Sequence, residues 1–165
     1  MDKKRLGIAI AVVAVLGFGF ALCRQAIPDE YIPAEDEIAL RIQLDTKEDV
    51  GLLVFDYSVN DHEYSGGISN ADKSLIRHDE LLVEVWNKEQ LFRDKDQMQY
   101  SADPVEVSIQ FRVISEYVDP NFENVYSENI TKYLDEISFE AHFGESYSIT
   151  ISGDKTNGYK AILAE

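Results

Sequence analysis

Four short stretches carry side chains of the types that do chemistry. Gly67-Ile68-Ser69-Asn70-Ala71 sets a serine in a frame close to G-x-S-x-G. That motif works because a strained strand-to-helix turn lifts the hydroxyl onto an α/β sheet. Ala71 stands where the second glycine is required, and no alternation of helices and parallel strands surrounds it. The segment reads as a polar turn, not a nucleophile elbow.

The three histidines are His62, His78 and His142. His62 and His78 each stand beside an aspartate, Asp61 and Asp79, but neighbouring side chains on a strand point to opposite faces. No H-x-x-x-H, H-E-x-x-H or paired Cys/His spacing occurs, so the usual signature of a zinc site is missing. Asp154-Lys155-Thr156-Asn157-Gly158 has a passing likeness to a calcium loop. An EF-hand needs oxygen ligands at alternate positions and a glutamate at the twelfth. Here Thr156 holds the third position, and the twelfth falls on Glu165, the last residue of the sequence. Asn157-Gly158 lies between two alternating runs and predicts a hairpin turn instead.

No catalytic, cofactor-binding or metal-binding residue is therefore assigned, and the chain is not read as an enzyme. The aromatics suggest recognition. Nine Tyr, eight Phe and one Trp are present, and Tyr117, Phe122 and Tyr126 flank one loop. Exposed rings with nearby carboxylates make flat sugar-binding platforms, whereas rings in a sheet protein mostly fill the core or pair across strands. These three residues are the candidate recognition loop. Asn129-Ile130-Thr131 matches a glycosylation sequon, relevant only in a host that uses it.

Charge narrows the partners. The chain has 31 acidic and 15 basic residues, a net charge of −16. Residues 1–24 hold four basic groups and one acid, so the remainder carries −19. Such a surface repels phosphate backbones and anionic headgroups, which argues against nucleic acid and against a domain lying flat on a membrane. It favours cationic partners and divalent metal ions, and it also serves simply to keep an exported protein soluble. The expected function is a non-catalytic binding or interaction module at the cell envelope, with an envelope protein or a glycan as partner. The alternative is a carbohydrate-binding or metal-dependent hydrolytic exported domain.

The elements that position these residues begin with an N-terminal span. Residues 1–5 form a basic tail with Lys3, Lys4 and Arg5, and 6–23 is an uncharged, mostly apolar run closed by Arg24. A helix of that length is about 27 Å long, close to the hydrocarbon thickness of a bilayer. The basic excess ahead of it predicts a cytoplasmic N-terminus and an extracytoplasmic C-terminal domain. The run is longer than a cleavable signal core, which favours an anchor; cleavage after Ala21 and lipidation at Cys23 are the other two fates. Cys23 is the sole cysteine, so no intramolecular disulfide forms, a pattern that suits a bacterial exported protein.

Residues 24–36, with Pro28 and Pro33, read as an extended charged spacer. From 37 to 165 alternation dominates. Ile38, Leu40, Ile42 and Leu44 mark a half-buried strand, and 50–59 a central one. A bend or bulge is expected at Ser65-Gly66-Gly67. A strand runs over 81–86, a polar loop over 87–103, and a long strand over 105–117. Ile130, Tyr133, Leu134 and Ile137 recur at helical spacing behind a Ser127 N-cap, predicting a short helix. Strands follow at 137–143, 146–151 and 159–163. The fold class is all-β: an antiparallel sandwich, immunoglobulin-like in the broad sense, with one short inserted helix and a preceding transmembrane helix.

Overall fold

The computed structural model describes residues 31–92, 103–118 and 126–164. Its contacts divide the chain into Met1–Tyr31 and Ile32–Glu165. The expected membrane segment, Cys23 and Phe122 lie outside the described residues. Among the described residues, no helix is long and apolar enough to cross a membrane.

The second unit is all-β, with nine strands and one turn of helix among the described residues. In chain order these are β1 (Glu37–Thr46), β2 (Leu52–Val59), β3 (His62–Ile68), β4 (Leu81–Asn87), α1 (Lys88–Leu91), β5 (Val105–Ile114), β6 (Thr131–Tyr133), β7 (Ile137–Ala141), β8 (Ser146–Asp154) and β9 (Gly158–Leu163). One sheet has the order β4-β1-β8-β9. The other has the order β3-β2-β5-β6, with β7 also paired to β5. The period-2 pattern decides which side chains go inward. Ile38, Leu40, Ile42 and Leu44 from the first sheet join Leu53, Phe55, Val107, Ile109 and Phe111 from the second in one core. Burying a side chain such as Phe55 contributes about 1.5–3 kcal/mol.

Four expectations are corrected. The pairing is not antiparallel throughout, because β1 and β8 run parallel from Ala39↔Ser146 to Thr46↔Gly153. No bulge forms at the Ser65 glycines; the β2–β3 register is one-to-one from Leu53↔Ile68 to Val59↔His62. Gly66 serves packing instead, since a Cβ there would lie 2.4 Å from the Phe55 ring.

The predicted helix at 127–137 is a broken strand. Thr131–Tyr133 pairs with Ile114–Arg112, and Ile137 then pairs with Ile109. Helical spacing lost because β5 offered an unfilled edge, and tertiary pairing overrides a short periodic run. The break is held by the Leu134 N–H, which donates to the Phe111 carbonyl at 3.0 Å, and by Gln110 Nε2, which donates to the Leu134 carbonyl at 3.1 Å. The helical turn lies at α1, inside the segment read as a polar loop. Asn87 caps it by accepting from the Glu89 N–H at 2.8 Å, and Leu91 and Phe92 are buried.

Candidate ligand-binding face

The outer face of the second sheet changes character along its strands. On β2 the outward positions are Leu52 and Val54, then Asp56 and Ser58; on β5 they are Glu106, Ser108, Gln110 and Arg112, then Ile114. The apolar end is covered. Leu52, Val54 and Ile114 form a second small core against Val118, Tyr126 and Ile130, as the chain leaving β5 folds back over the sheet. The polar end stays open because no apolar area there would repay the ordering of a covering segment.

Register turns this open end into a trough. Ser58 is opposite Ser108, Ser108 is opposite Ser138, and Glu63 closes the row beyond Ser58. Ser138 Oγ lies 3.3 Å from Ser108 Oγ. Three short side chains in line leave a floor below their longer neighbours. One depression of about 560 Å³ opens over Asp56, Ser58, Glu63, Ser108, Gln110 and Glu136. A second of about 360 Å³ continues over Asp61, Glu106, Ser138 and Glu140. The two share Ser58 and Ser108.

Six carboxylates rim the trough, and none of the described lining residues is basic. Arg112 neutralises one side, with Nη2 at 2.8 Å from Asp56, while Ser65 Oγ donates to the same carboxylate at 2.8 Å. The Arg112 guanidinium also sits 5.8 Å from the centre of the Tyr133 ring, which is 64% exposed. One wall is tied down at the β2–β3 turn. The Asn60 N–H donates to the Glu106 carbonyl at 2.9 Å, and Asn60 Oδ1 accepts from the Glu106 N–H at 2.8 Å. Asn60 and Asp61 both have positive φ, 48° and 66°, as a type I′ hairpin turn requires.

The residues singled out in the sequence are dispersed. Ser69 is exposed in the turn after β3, beside a polar network in which Ser74 Oγ donates to Asp72 at 2.6 Å. His78 Nδ1 lies 2.8 Å from Asp49, and its hydrogen bonds hold the Asp49 carboxyl below the usual carboxylate range. The adjacent Asp79 pairs with Arg77 instead. His142 Nδ1 lies 3.3 Å from Asp103. Among the described residues no group of three or more His, Cys, Asp or Glu could hold a metal ion.

Asp154 anchors the β8–β9 hairpin. Its carboxylate accepts from Lys47 Nζ at 2.6 Å and from the Thr156 and Asn157 N–H groups at 2.9 and 2.7 Å. The lysine and these N–H groups hold its pKa well below the usual range. Tyr117 is half-buried, and Tyr126 packs into the small outer core. The three serines of the trough went unnoticed in the sequence, where each is one more polar residue on a wet strand face.

No family model and no curated protein matches the chain. Among solved structures it is similar to wild-type pneumolysin, with 9% identity and a TM-score of 0.37 over 78% of this chain and 23% of that one. A non-hemolytic pneumolysin from Streptococcus pneumoniae strain ST306 gives 8% identity and a TM-score of 0.37 over the same shares. The membrane-binding domain of pneumolysin gives 8% identity and a TM-score of 0.32, over 78% of this chain and 95% of that one. The chain thus spans less than a quarter of the full pneumolysin chains. Likeness of this degree transfers no residue role and no activity.

Proposed function

We propose that this chain is a non-catalytic binding module, tethered to a membrane by residues 6–23 and displayed on the extracytoplasmic side. Its second unit is a sandwich of broadly immunoglobulin-like type, and the trough on the β3-β2-β5-β7 sheet takes the ligand. One observation carries this reading: the open serine floor of Ser58, Ser108 and Ser138 between six carboxylates. Small hydroxyls admit a partner side chain close to the sheet, and the rim favours a cationic group. The fitting partner is an envelope protein presenting Lys or Arg, because each ammonium or guanidinium supplies several donors to carboxylate acceptors.

A glycan is the second reading, and the exposed Tyr133 ring favours it. Rings of this kind stack on sugars while Gln110 and the carboxylates supply hydrogen bonds.

The deciding experiment is a pulldown from envelope extracts in parallel with a glycan array, using the full chain and its Ser108→Arg variant. A partner retained by the full chain, released by raised salt and lost in Ser108→Arg supports the first reading. Glycan retention lost in a Tyr133→Ala variant supports the second. Retention that Ser108→Arg leaves intact overturns the trough as the site. Protease added to intact cells tests the topology: digestion of residues 37–165 is expected, and full protection overturns it.

A further inference from the structure

The outer edge of β3 has a backbone pattern suited to accepting another strand. In the two-residue hairpin Val59–His62, the residues that hydrogen-bond to β2 are His62, Tyr64, Gly66 and Ile68, as the pairs Val59↔His62 through Leu53↔Ile68 show. Alternation in an antiparallel ladder then turns the N–H and C=O groups of Glu63, Ser65 and Gly67 away from β2. The Asn60 N–H bond to Glu106 fixes the same phase from the other side of β2. Glu63, Ser65 and Gly67 are all exposed. Among the described residues no main-chain hydrogen bond reaches these three outward-facing groups.

Free edges are normally blunted by Lys, Pro, a bulge or a covering segment. β3 carries no Lys or Pro and no bulge, and its one acidic side chain is the exposed Glu63. The opposite margin of the same sheet is handled differently, being split into the three-residue β6 and the five-residue β7. Gly66 is enforced by the Phe55 ring, whereas Gly67 is only crowded. A Cβ there would lie 3.3 Å from the Leu53 carbonyl oxygen, which would have to give by a few tenths of an ångström, and 3.7 and 3.8 Å from side-chain carbons. A glycine inside a strand costs about 0.5–1 kcal/mol relative to alanine. It also leaves the edge low, so that another backbone can approach closely.

We propose that β3 accepts an extended peptide segment as a sixth strand of this sheet, and that the segment alternates basic and apolar residues. The alternation follows from the neighbours it would meet. Its outward side chains would stand beside Glu63, at the end of the serine row, where a lysine or arginine pairs with the carboxylate. Its inward side chains would stand beside Tyr64 and Ile68, which are half-buried against the core, where apolar residues fit. A second copy of this chain is disfavoured as the occupant by its net charge of −16. This mode rests on the main chain of one edge, and it shares Glu63, Tyr64 and Ser65 with the lining of the trough.

The test uses the full chain, isotope-labelled in detergent micelles, with the capped peptide Lys-Val-Lys-Val-Lys-Val-Lys as probe and its Glu-Val counterpart as control. Slowed exchange of the Glu63, Ser65 and Gly67 amides is expected with the Lys peptide alone. Ser65→Pro removes an outward N–H that β2 does not use and should weaken binding at least tenfold, whereas Lys155→Ala on the β8–β9 hairpin of the other sheet should keep it. Should Ser65→Pro fail to fold, the exchange pattern of the unsubstituted chain decides. Equal binding of the Glu peptide, exchange changes confined to the trough, binding unaffected by Ser65→Pro, no binding at all, or a peptide-independent dimer would each overturn the proposal.

Discussion

Trp86 and Tyr57 lie face to face, with ring centres 4.2 Å apart and planes within 7°. One comes from β4 and the other from β2, so the stack joins the two sheets. Tyr64 extends it, 5.1 Å from Tyr57, and its hydroxyl donates to the Leu91 carbonyl of α1. The single tryptophan of the chain is thus a built-in reporter of sheet-to-sheet packing. Trp86→Ala should cost about 3–5 kcal/mol, the range for a large buried ring, read as a lowered denaturation midpoint. In the unsubstituted chain, Trp86 fluorescence and far-ultraviolet circular dichroism should change together on unfolding.

The Tyr57 hydroxyl adds an alkaline dependence. Burial, with a smaller contribution from Glu84, pushes its pKa up to about 12. The neutral phenol is therefore favoured in the folded state. Its contribution is complete below the unfolded value near 10 and is lost as pH rises from there toward 12. Thermal unfolding followed between pH 9 and about 11.5 should show a steeper fall for the unsubstituted chain than for Tyr57→Phe, which keeps the ring and removes the titrating group.

At the other end of the pH scale the sign reverses. Asp154 has its pKa lowered, first by Lys47 and then by Asn157. A lowered carboxylate contributes stability above the unfolded value near 3.8, and this is lost as pH falls through the folded value. Asp154→Ala should lower the melting temperature at neutral pH and flatten the acid limb below about pH 4. Glu48 is the neighbouring brace, accepting from the Lys155 N–H and the Tyr159 hydroxyl, each at 2.6 Å. Glu48→Gln should have the smaller effect, because an amide oxygen still accepts.

Adjacent glycines should answer differently. A Cβ at Gly66 would penetrate the Phe55 ring, with contacts at 2.4 and 2.7 Å, so Gly66→Ala should destabilise by about 1–3 kcal/mol through overpacking. At Gly67 the closest contact is 3.3 Å. Gly67→Ala should change stability by under about 1 kcal/mol. Chemical denaturation of the two variants side by side checks the contrast.

What was legible in the sequence follows from how far each signal reaches along the chain. Val105 to Val113 alternates so regularly that its inward face and its strand were both readable, as were the Asn157-Gly158 turn and the polar turn at Ser69. The end of β5 at Ile114, short of Tyr117, was not readable, because apolar residues continue there into the outer core. Ile130 to Ile137 misled because spacing of three and four suits a helix and also suits strand, turn and strand; only the free margin of β5 decides between them. The trough was invisible for a related reason. Ser58, Ser108 and Ser138 come from three strands, and nothing local brings them into one row.

The small outer core offers a last test, since Tyr126 of the candidate recognition loop packs into it. Ile114 is fully buried on the outer side of the sheet, with Tyr126 and Ile130 packed over it. The cover is also held by backbone, through the Ser115 N–H donating to the Ile130 carbonyl at 2.9 Å, and by Thr131 Oγ1 donating to the Ser127 carbonyl at 2.9 Å. Tyr126 contributes area to this patch alone, not to the central core. Tyr126→Ala should therefore speed amide exchange at Ser115 and Ile130 by an order of magnitude or more, an opening cost lowered by about 1.5 kcal/mol, while β1 and β8 amides keep their protection. Ile114→Ala should add global destabilisation of about 2–5 kcal/mol, because its backbone belongs to the ladder joining β2, β5 and β6. Uniform loss of protection in Tyr126→Ala would mean that the cover and the main core open as one unit.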